Sequence, residues 1–251
     1  MLMENKTEAV RLNKYLSQAG VCSRREADRL IESGEVLVDG KIADMGMKVM
    51  PDQTVVCQGK VVGGQTEMIL LAVNKPVGIV CTTAESEPDN IVTWLNYPSR
   101  VFPAGRLDKA SQGLVLMTNQ GELMDQILRA RNYHEKEYLV TIDQPVNLEF
   151  LRKMRSGVHI RAVREGEVVL DEVTRPCTVE KVSRCTFRII LTQGLNRQIR
   201  RMCEALGCRV RKLERVRVMN IELGDLAEGQ YRRVEGRELE ELLRQLKKSE
   251  R

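Results

Sequence analysis

Phe102-Pro103-Ala104-Gly105-Arg106-Leu107-Asp108-Lys109-Ala110-Ser111-Gln112-Gly113-Leu114, FPAGRLDKASQGL, sets one carboxylate between two cations, behind a glycine and ahead of a polar loop. The chain then enters Leu114-Val115-Leu116-Met117, an apolar run that reads as a core strand over 114–118. Gly105 allows close backbone approach and Leu107 can anchor the turn, so the loop lies at the edge of a rigid sheet. Two readings of Asp108 stay open on these residues alone. It is a loop acid paired with Arg106 or Lys109, or it is a reactive group held in place by the sheet.

Further strands are predicted at 68–73, 137–142, 186–192 and 216–223, and helices at 122–129, 147–155, 196–206 and 238–246. The run Asn74-Lys75-Pro76-Val77-Gly78 must turn, because proline has no ladder donor. Helices and strands mix without a regular βαβ alternation, which predicts an α+β domain on a mixed, largely antiparallel sheet with flanking helices. The last helix, with Leu239, Leu242, Leu243 and Leu246 on one face, is amphipathic.

The N-terminal quarter reads as a separate small unit. Leu12, Tyr15, Leu16 and Ala19 fall at helical spacing, and Gly20 closes that segment. Ser23-Arg24-Arg25-Glu26 is a capping box for a second helix whose Ala27, Leu30 and Ile31 face inward, leaving Arg24, Arg25 and Arg29 for water or phosphate. Asp39-Gly40 suits a hairpin turn at positive φ, and a second hairpin is expected around Gln58-Gly59. Gly63-Gly64-Gln65-Thr66 reads as the linker, giving domains 1–64 (core 11–62) and 65–251.

Composition narrows the function classes. The chain has 251 residues and 40 Lys+Arg against 35 Asp+Glu, so net charge alone says little about a polyanionic partner. The stretch 193–217 carries eight cations against two acids, which predicts a local basic surface. Seven cysteines, odd in number and without a C-x-x-C pair, suit buried thiols in a reducing compartment, and His134 and His159 have no ligand-like neighbours, so no metal is expected. No apolar run is long enough to span a bilayer and the N-terminus is polar, from which a cytoplasmic location is expected. No association stripe is visible, so a monomer is the default.

The segment QGLNRQIRRMCEALG (193–207) has an inward stripe of Ile199, Met202, Cys203 and Leu206, with Gly207 as its stop. At helical spacing Arg197 and Arg201 share a face while Arg200 is turned by about 100° from Arg201. Either all three are solvated, or Arg200 meets a carboxylate while its neighbours meet phosphate. Tyr138 alternates with Val140 and Ile142, so it faces the core or stacks on a base.

Residues 11–41, RLNKYLSQAGVCSRREADRLIESGEVLVDGK, resemble the S4 RNA-binding domain, which implies RNA contact through Arg11, Lys14, Arg24 and Arg25. GRLD (105–108), KEYLV (136–140) and NRQIRRM (196–202), with NKPVGIV (74–80), closely resemble the RsuA family of pseudouridine synthases over nearly all of 68–234. The resemblance implies cofactor-free isomerisation of a chosen uridine in RNA to pseudouridine. Asp108 matches the family's essential aspartate, Tyr138 its active-site tyrosine and Arg200 the arginine paired with that aspartate. The carboxylate attacks ribose C1′ or removes a ribose proton to give a glycal; the residues do not choose. The target base has to be flipped out of its stack, with Arg106 the candidate to fill the gap. Arg197, Arg201 and Lys75 are expected on the RNA backbone.

The implied substrate is a stem-loop of 23S rRNA, with the anticodon arm of a tyrosine tRNA as a second. Relatives of this branch can continue in a long basic tail where this sequence stops at Arg251, which leaves RNA grip to the S4 unit. Two other functions remain in view: a non-catalytic RNA-binding or ribosome-assembly protein, and a glycosidase-like nucleoside hydrolase, which ordinarily needs two carboxylates.

Overall fold

The structure is a computed structural model, described here for residues 9–63, 67–128 and 133–248. Most of the expected linker, and Arg129 at the end of an expected helix, lie outside the described residues. The chain divides into two compact units: Met1–Met68 with Pro98–Arg100 and Asn119–Gly121, and the remainder.

In the first unit, β1 (Val10–Arg11), α1 (Leu12–Gln18), α2 (Arg24–Glu32), β2 (Val36–Val38), β3 (Lys41–Ile42), β4 (Lys48–Val49), β5 (Val55–Cys57) and β6 (Lys60–Val61) follow in order. The Ser23 hydroxyl accepts from Glu26 N at 3.1 Å, as a cap requires. The glutamate half of the expected box instead pairs with Arg29 at 3.0 Å. Asp39 and Gly40 both take positive φ, 49° and 77°, in the tight turn joining β2 to β3. A sheet in the order β3-β2-β5-β6 covers the helices, while β1 pairs β4 as a separate ribbon that the sequence reading lacked. Leu12, Leu16, Ala27, Leu30, Val36 and Val55 close the core.

The second unit contains β7 (Leu70–Lys75), α3 (Ile91–Leu95), β8 (Phe102–Ala104), β9 (Gln112–Thr118), α4 (Gly121–Leu128), β10 (Lys136–Ile142), α5 (Leu148–Ser156), β11 (His159–Arg164) and β12 (Glu167–Val173). It continues through β13 (Thr178–Lys181), β14 (Thr186–Leu191), α6 (Gln198–Ala205), β15 (Val210–Val218), β16 (Ile221–Glu222), β17 (Tyr231–Arg233) and α7 (Gly236–Lys248). The main sheet runs β13-β14-β10-β15-β9-β7-β17, with β16 on β15 and β8 on β9. Only the β9–β15 pairing is parallel among the described pairings, so the expected α+β, largely antiparallel architecture holds. β7 is buried along its whole length, as its unbroken apolar run predicted.

Gly113 sits where β9 meets β15. Its φ is +100°, and a Cβ there would lie 2.4 Å from Arg215 O, so only glycine lets the two strands approach.

The strand expected at 216–223 is displaced. β15 starts at Val210, and the chain reverses at Met219-Asn220 into β16. The alternation was hidden by charge, because VRKLERVRV carries cations on both faces. The basic surface expected from 193–217 is correspondingly smaller: Arg215 is buried, and Arg217 is paired with Glu135 at 3.0 Å and Glu137 at 2.8 Å.

Candidate active site

The Asp108 loop joins β8 to β9 and is held mostly by backbone. Ser111 N donates to Asp108 O at 3.0 Å, and Gly78 N donates to Lys109 O at 2.8 Å, tying the loop to the Lys75-Pro76 turn. Leu107 is buried, and its N–H reaches Cys81 Sγ at 3.4 Å. Lys109 does not serve Asp108; its amine pairs with Asp89 at 2.9 Å and Glu87 at 3.9 Å. Arg106 is exposed and has no hydrogen-bond or ion-pair partner among the described residues. The loop therefore presents a carboxylate one-third exposed (34%) on a fixed backbone.

Two arginines converge on it. Arg200 Nη2 donates to Ala110 O at 2.8 Å and to Ser111 Oγ at 3.1 Å, and its Nε lies 3.8 Å from Asp108 Oδ2. Arg197 Nη1 lies at the same 3.8 Å. Burial, then the neighbouring Arg197, push the Arg200 guanidinium below its ordinary value, while Asp108 acts the other way.

The expected grouping of Arg197 with Arg201 is corrected here. α6 starts at Gln198, and Arg197 precedes it with φ 52°, outside the helical repeat, so it shares Asp108 with Arg200. Arg201 turns back onto Asn196, bonding its O at 2.9 Å and Oδ1 at 3.0 Å. Lys75 is also corrected. It is fully buried (0% exposed), and its amine donates to Pro76 O and Ile79 O, both at 2.8 Å, so it is closed to RNA phosphate.

Tyr138 lies on β10, paired with Ile189 on one side and Arg215 on the other, at a bulge. It packs against both apolar clusters of the unit and lines a cleft of about 230 Å³ together with Asp108, Arg197 and Arg200. Arg106 is at the same cleft. Two residues that the sequence reading passed over also line it: Lys136, two positions before Tyr138 on β10, and Arg215. Burial, then Arg215, push the Lys136 amine down to about 8. The alternation Lys136-Glu137-Tyr138 was the available signal, since residues two apart on a strand share a face.

In the first unit, Arg11, Lys14 and Arg24 line one groove, joined by Lys48, which pairs Arg11 across the β1–β4 ribbon and was not singled out from the sequence. Arg25 is exposed at the start of α2. Among the described residues no cluster of His, Cys, Asp or Glu could hold a metal ion, and all seven cysteines are free thiols. No described helix is long and apolar enough to cross a membrane.

An RNA pseudouridylate synthase family model matches residues 69–205, the segment that contains Asp108, Tyr138, Arg197 and Arg200, and an S4 domain model matches 10–55. The chain belongs to the RNA pseudouridine synthases. It is 50% identical to the dual-specificity RNA pseudouridine synthase RluF of Escherichia coli over 96% of its own length and 81% of that protein's. It is 33% identical to the ribosomal small subunit pseudouridine synthase A of the same organism (89% and 95% of the two chains). Ribosomal large subunit pseudouridine synthase B of Bacillus subtilis is 31% identical (92% and 95%). A crystal structure of a pseudouridylate synthase superposes with a TM-score of 0.66 at 27% identity, covering 93% of this chain and 99% of that one. This pseudouridine synthase thus carries an S4 domain ahead of its catalytic fold, as the RsuA-type resemblance implied.

Proposed function

We propose that this pseudouridine synthase isomerises a uridine in a stem-loop of 23S rRNA, with the anticodon arm of a tyrosine tRNA as a second substrate, and that Asp108 is its catalytic carboxylate. One observation carries the assignment: Asp108 is the carboxylate in a cleft where two guanidiniums lie 3.8 Å from the same oxygen and a tyrosine forms the facing wall. The dual specificity of the Escherichia coli relative supports two RNA substrates.

The chemistry follows from the charges. Arg197 and Arg200 favour the ionised carboxylate, and Arg200, anchored to the loop through Ala110 and Ser111, fixes where it points. The 3.8 Å separations exceed hydrogen-bond length, and such contacts tighten when substrate closes a site. Asp108 then attacks C1′ or takes the ribose 2′ proton, and the N1–C1′ bond breaks with its electron pair going to uracil. Tyr138 packs on the freed base while it turns to offer C5 to C1′. A base can reach this cleft only after leaving its stack, and Arg106, unpaired at the rim, fills the space left behind. Arg11, Lys14, Arg24 and Arg25 grip phosphate from residues 1–64. We place the enzyme in the cytoplasm, acting as a monomer.

Pseudouridine maps of total RNA from cells with and without the gene test the substrate. Loss of one site in 23S rRNA together with one in tyrosine tRNA is expected; an unchanged map contradicts the proposal.

A further inference from the structure

Breaking the glycosidic bond moves a negative charge. Before the step it sits on Asp108; afterwards the carboxylate is an ester or a neutral acid, and the electron pair from N1–C1′ has left with uracil. That holds for both routes, so the site has to stabilise an anion in two places in turn. Arg197 and Arg200 serve the first place. The second needs a cation in the cleft that no protein carboxylate already holds.

Lys136 meets that description. Its neighbours Glu135 and Glu137 are engaged by Arg217, at 3.0 and 2.8 Å, and Glu137 also faces Arg188 at 3.6 Å. The Lys136 amine makes one long hydrogen bond, to His134 O at 3.3 Å, and no ion pair among the described residues. The strands beside it present Leu191 and Val218 in register, and Ile127 and Leu128 of α4 line the same cleft, so its surroundings are apolar. Its charged neighbours in the cleft are Arg215 on β15 and, on the loop and α6 side, Arg106, Asp108, Arg197 and Arg200. Arg215 is an independent sign of the same thing: it is 3% exposed, its Nε donates to Leu114 O at 2.7 Å, and its Nη2 is buried without an acceptor. A half-buried ammonium with unused donors beside a guanidinium with an orphaned N–H costs stability in the empty protein.

We propose that Lys136, with Arg215 adding to the same positive field, holds the uracil as an anion while it is detached from the ribose, donating to a carbonyl oxygen of the base. The inference rests on the assignment of Asp108 above. When C5 has bonded to C1′, the C5 proton leaves, N1 takes up a proton, and the negative charge on the base is discharged. Lys136 keeps its own proton throughout. The low amine value of about 8 fits this role, because an anion arriving beside the group restores what burial has taken from its charged form.

The test is turnover of substrate RNA by wild type, Lys136→Met and Lys136→Arg across pH about 6 to 10. Lys136→Met is expected to lower kcat on the order of a hundredfold with little change in KM, and Lys136→Arg to recover about tenfold of the loss. Wild-type kcat/KM should fall as pH rises through about 8, and that limb should vanish in Lys136→Arg, whose guanidinium stays charged. Wild-type kcat in Lys136→Met overturns the inference. So does a rate that rises through the same pH with Lys136→Arg as inactive as Lys136→Met, since lysine would then act as a neutral base. If Lys136→Met fails to fold, the limbs of wild type and Lys136→Arg decide alone. Asp108→Asn run alongside separates the two claims: turnover there rejects the underlying assignment, whereas its absence with an unaffected Lys136→Met rejects only this one.

Discussion

Arg200 binds the loop that carries Asp108 more tightly than it binds Asp108 itself: its Nη2 is 2.8 Å from Ala110 O, and its Nε is 3.8 Å from Asp108 Oδ2. That Nε is buried with no hydrogen-bond partner. One side chain thus fixes the loop and keeps a donor in reserve for the carboxylate. A lysine has no planar fork to do both. Arg200→Lys is therefore expected to lower kcat on the order of a hundredfold while leaving RNA affinity within about threefold, read by single-turnover kinetics and RNA binding at one salt concentration.

Lys136 links the cleft to stability. Its folded-state value, about 8, lies below its ordinary 10.5, so between those pH values the unfolded chain binds the extra proton and stability rises with pH. Below about 8 both states are protonated and the burial cost is present in full. Lys136→Met should melt higher than wild type at pH about 7, with the gap closing by pH about 10.5, even as turnover falls. Melting curves of the two proteins across pH measure it, and an equal gap at all pH values contradicts it.

Gly113 is a packing requirement. Alanine there meets Arg215 O at 2.4 Å in a backbone region disfavoured for L side chains. Gly113→Ala should cost at least about 2 kcal/mol in denaturant unfolding, through strain and separation of β9 from β15.

The groove cations of the first unit should act on affinity and not on chemistry. Replacing Arg24 or Lys48 by Gln is expected to weaken RNA binding and lower the slope of log K against log salt by about 1 each, with the single-turnover rate at saturating RNA unchanged.

Much of this was legible in sequence because local chemistry and tertiary context agree. Ser23 caps a helix, Asp39-Gly40 turns a hairpin, the run beginning at Leu70 is a central strand, and the Asp108 loop sits where a strand re-enters the core. The failures share a cause: charged residues were read as surface. Lys75 is buried because two backbone carbonyls replace water around its amine, which no side-chain pattern reveals. Arg215 and Arg217 made β15 look like a basic patch, when one donates to Leu114 O and the other to two glutamates. Arg197 was placed by helical spacing, but its left-handed backbone puts it before the helix and turns it to Asp108. The β11–β12 hairpin escaped notice because β12 is exposed along almost its whole length and offers no apolar alternation.

The most direct measurement is release of the C5 hydrogen from uridine-labelled substrate RNA by Asp108→Asn, with binding of that RNA measured on the same preparation. Asparagine keeps the size of the side chain and removes the charge that Arg197 and Arg200 face. The account predicts normal binding with no hydrogen release and no pseudouridine. Release at anything near the wild-type rate contradicts it.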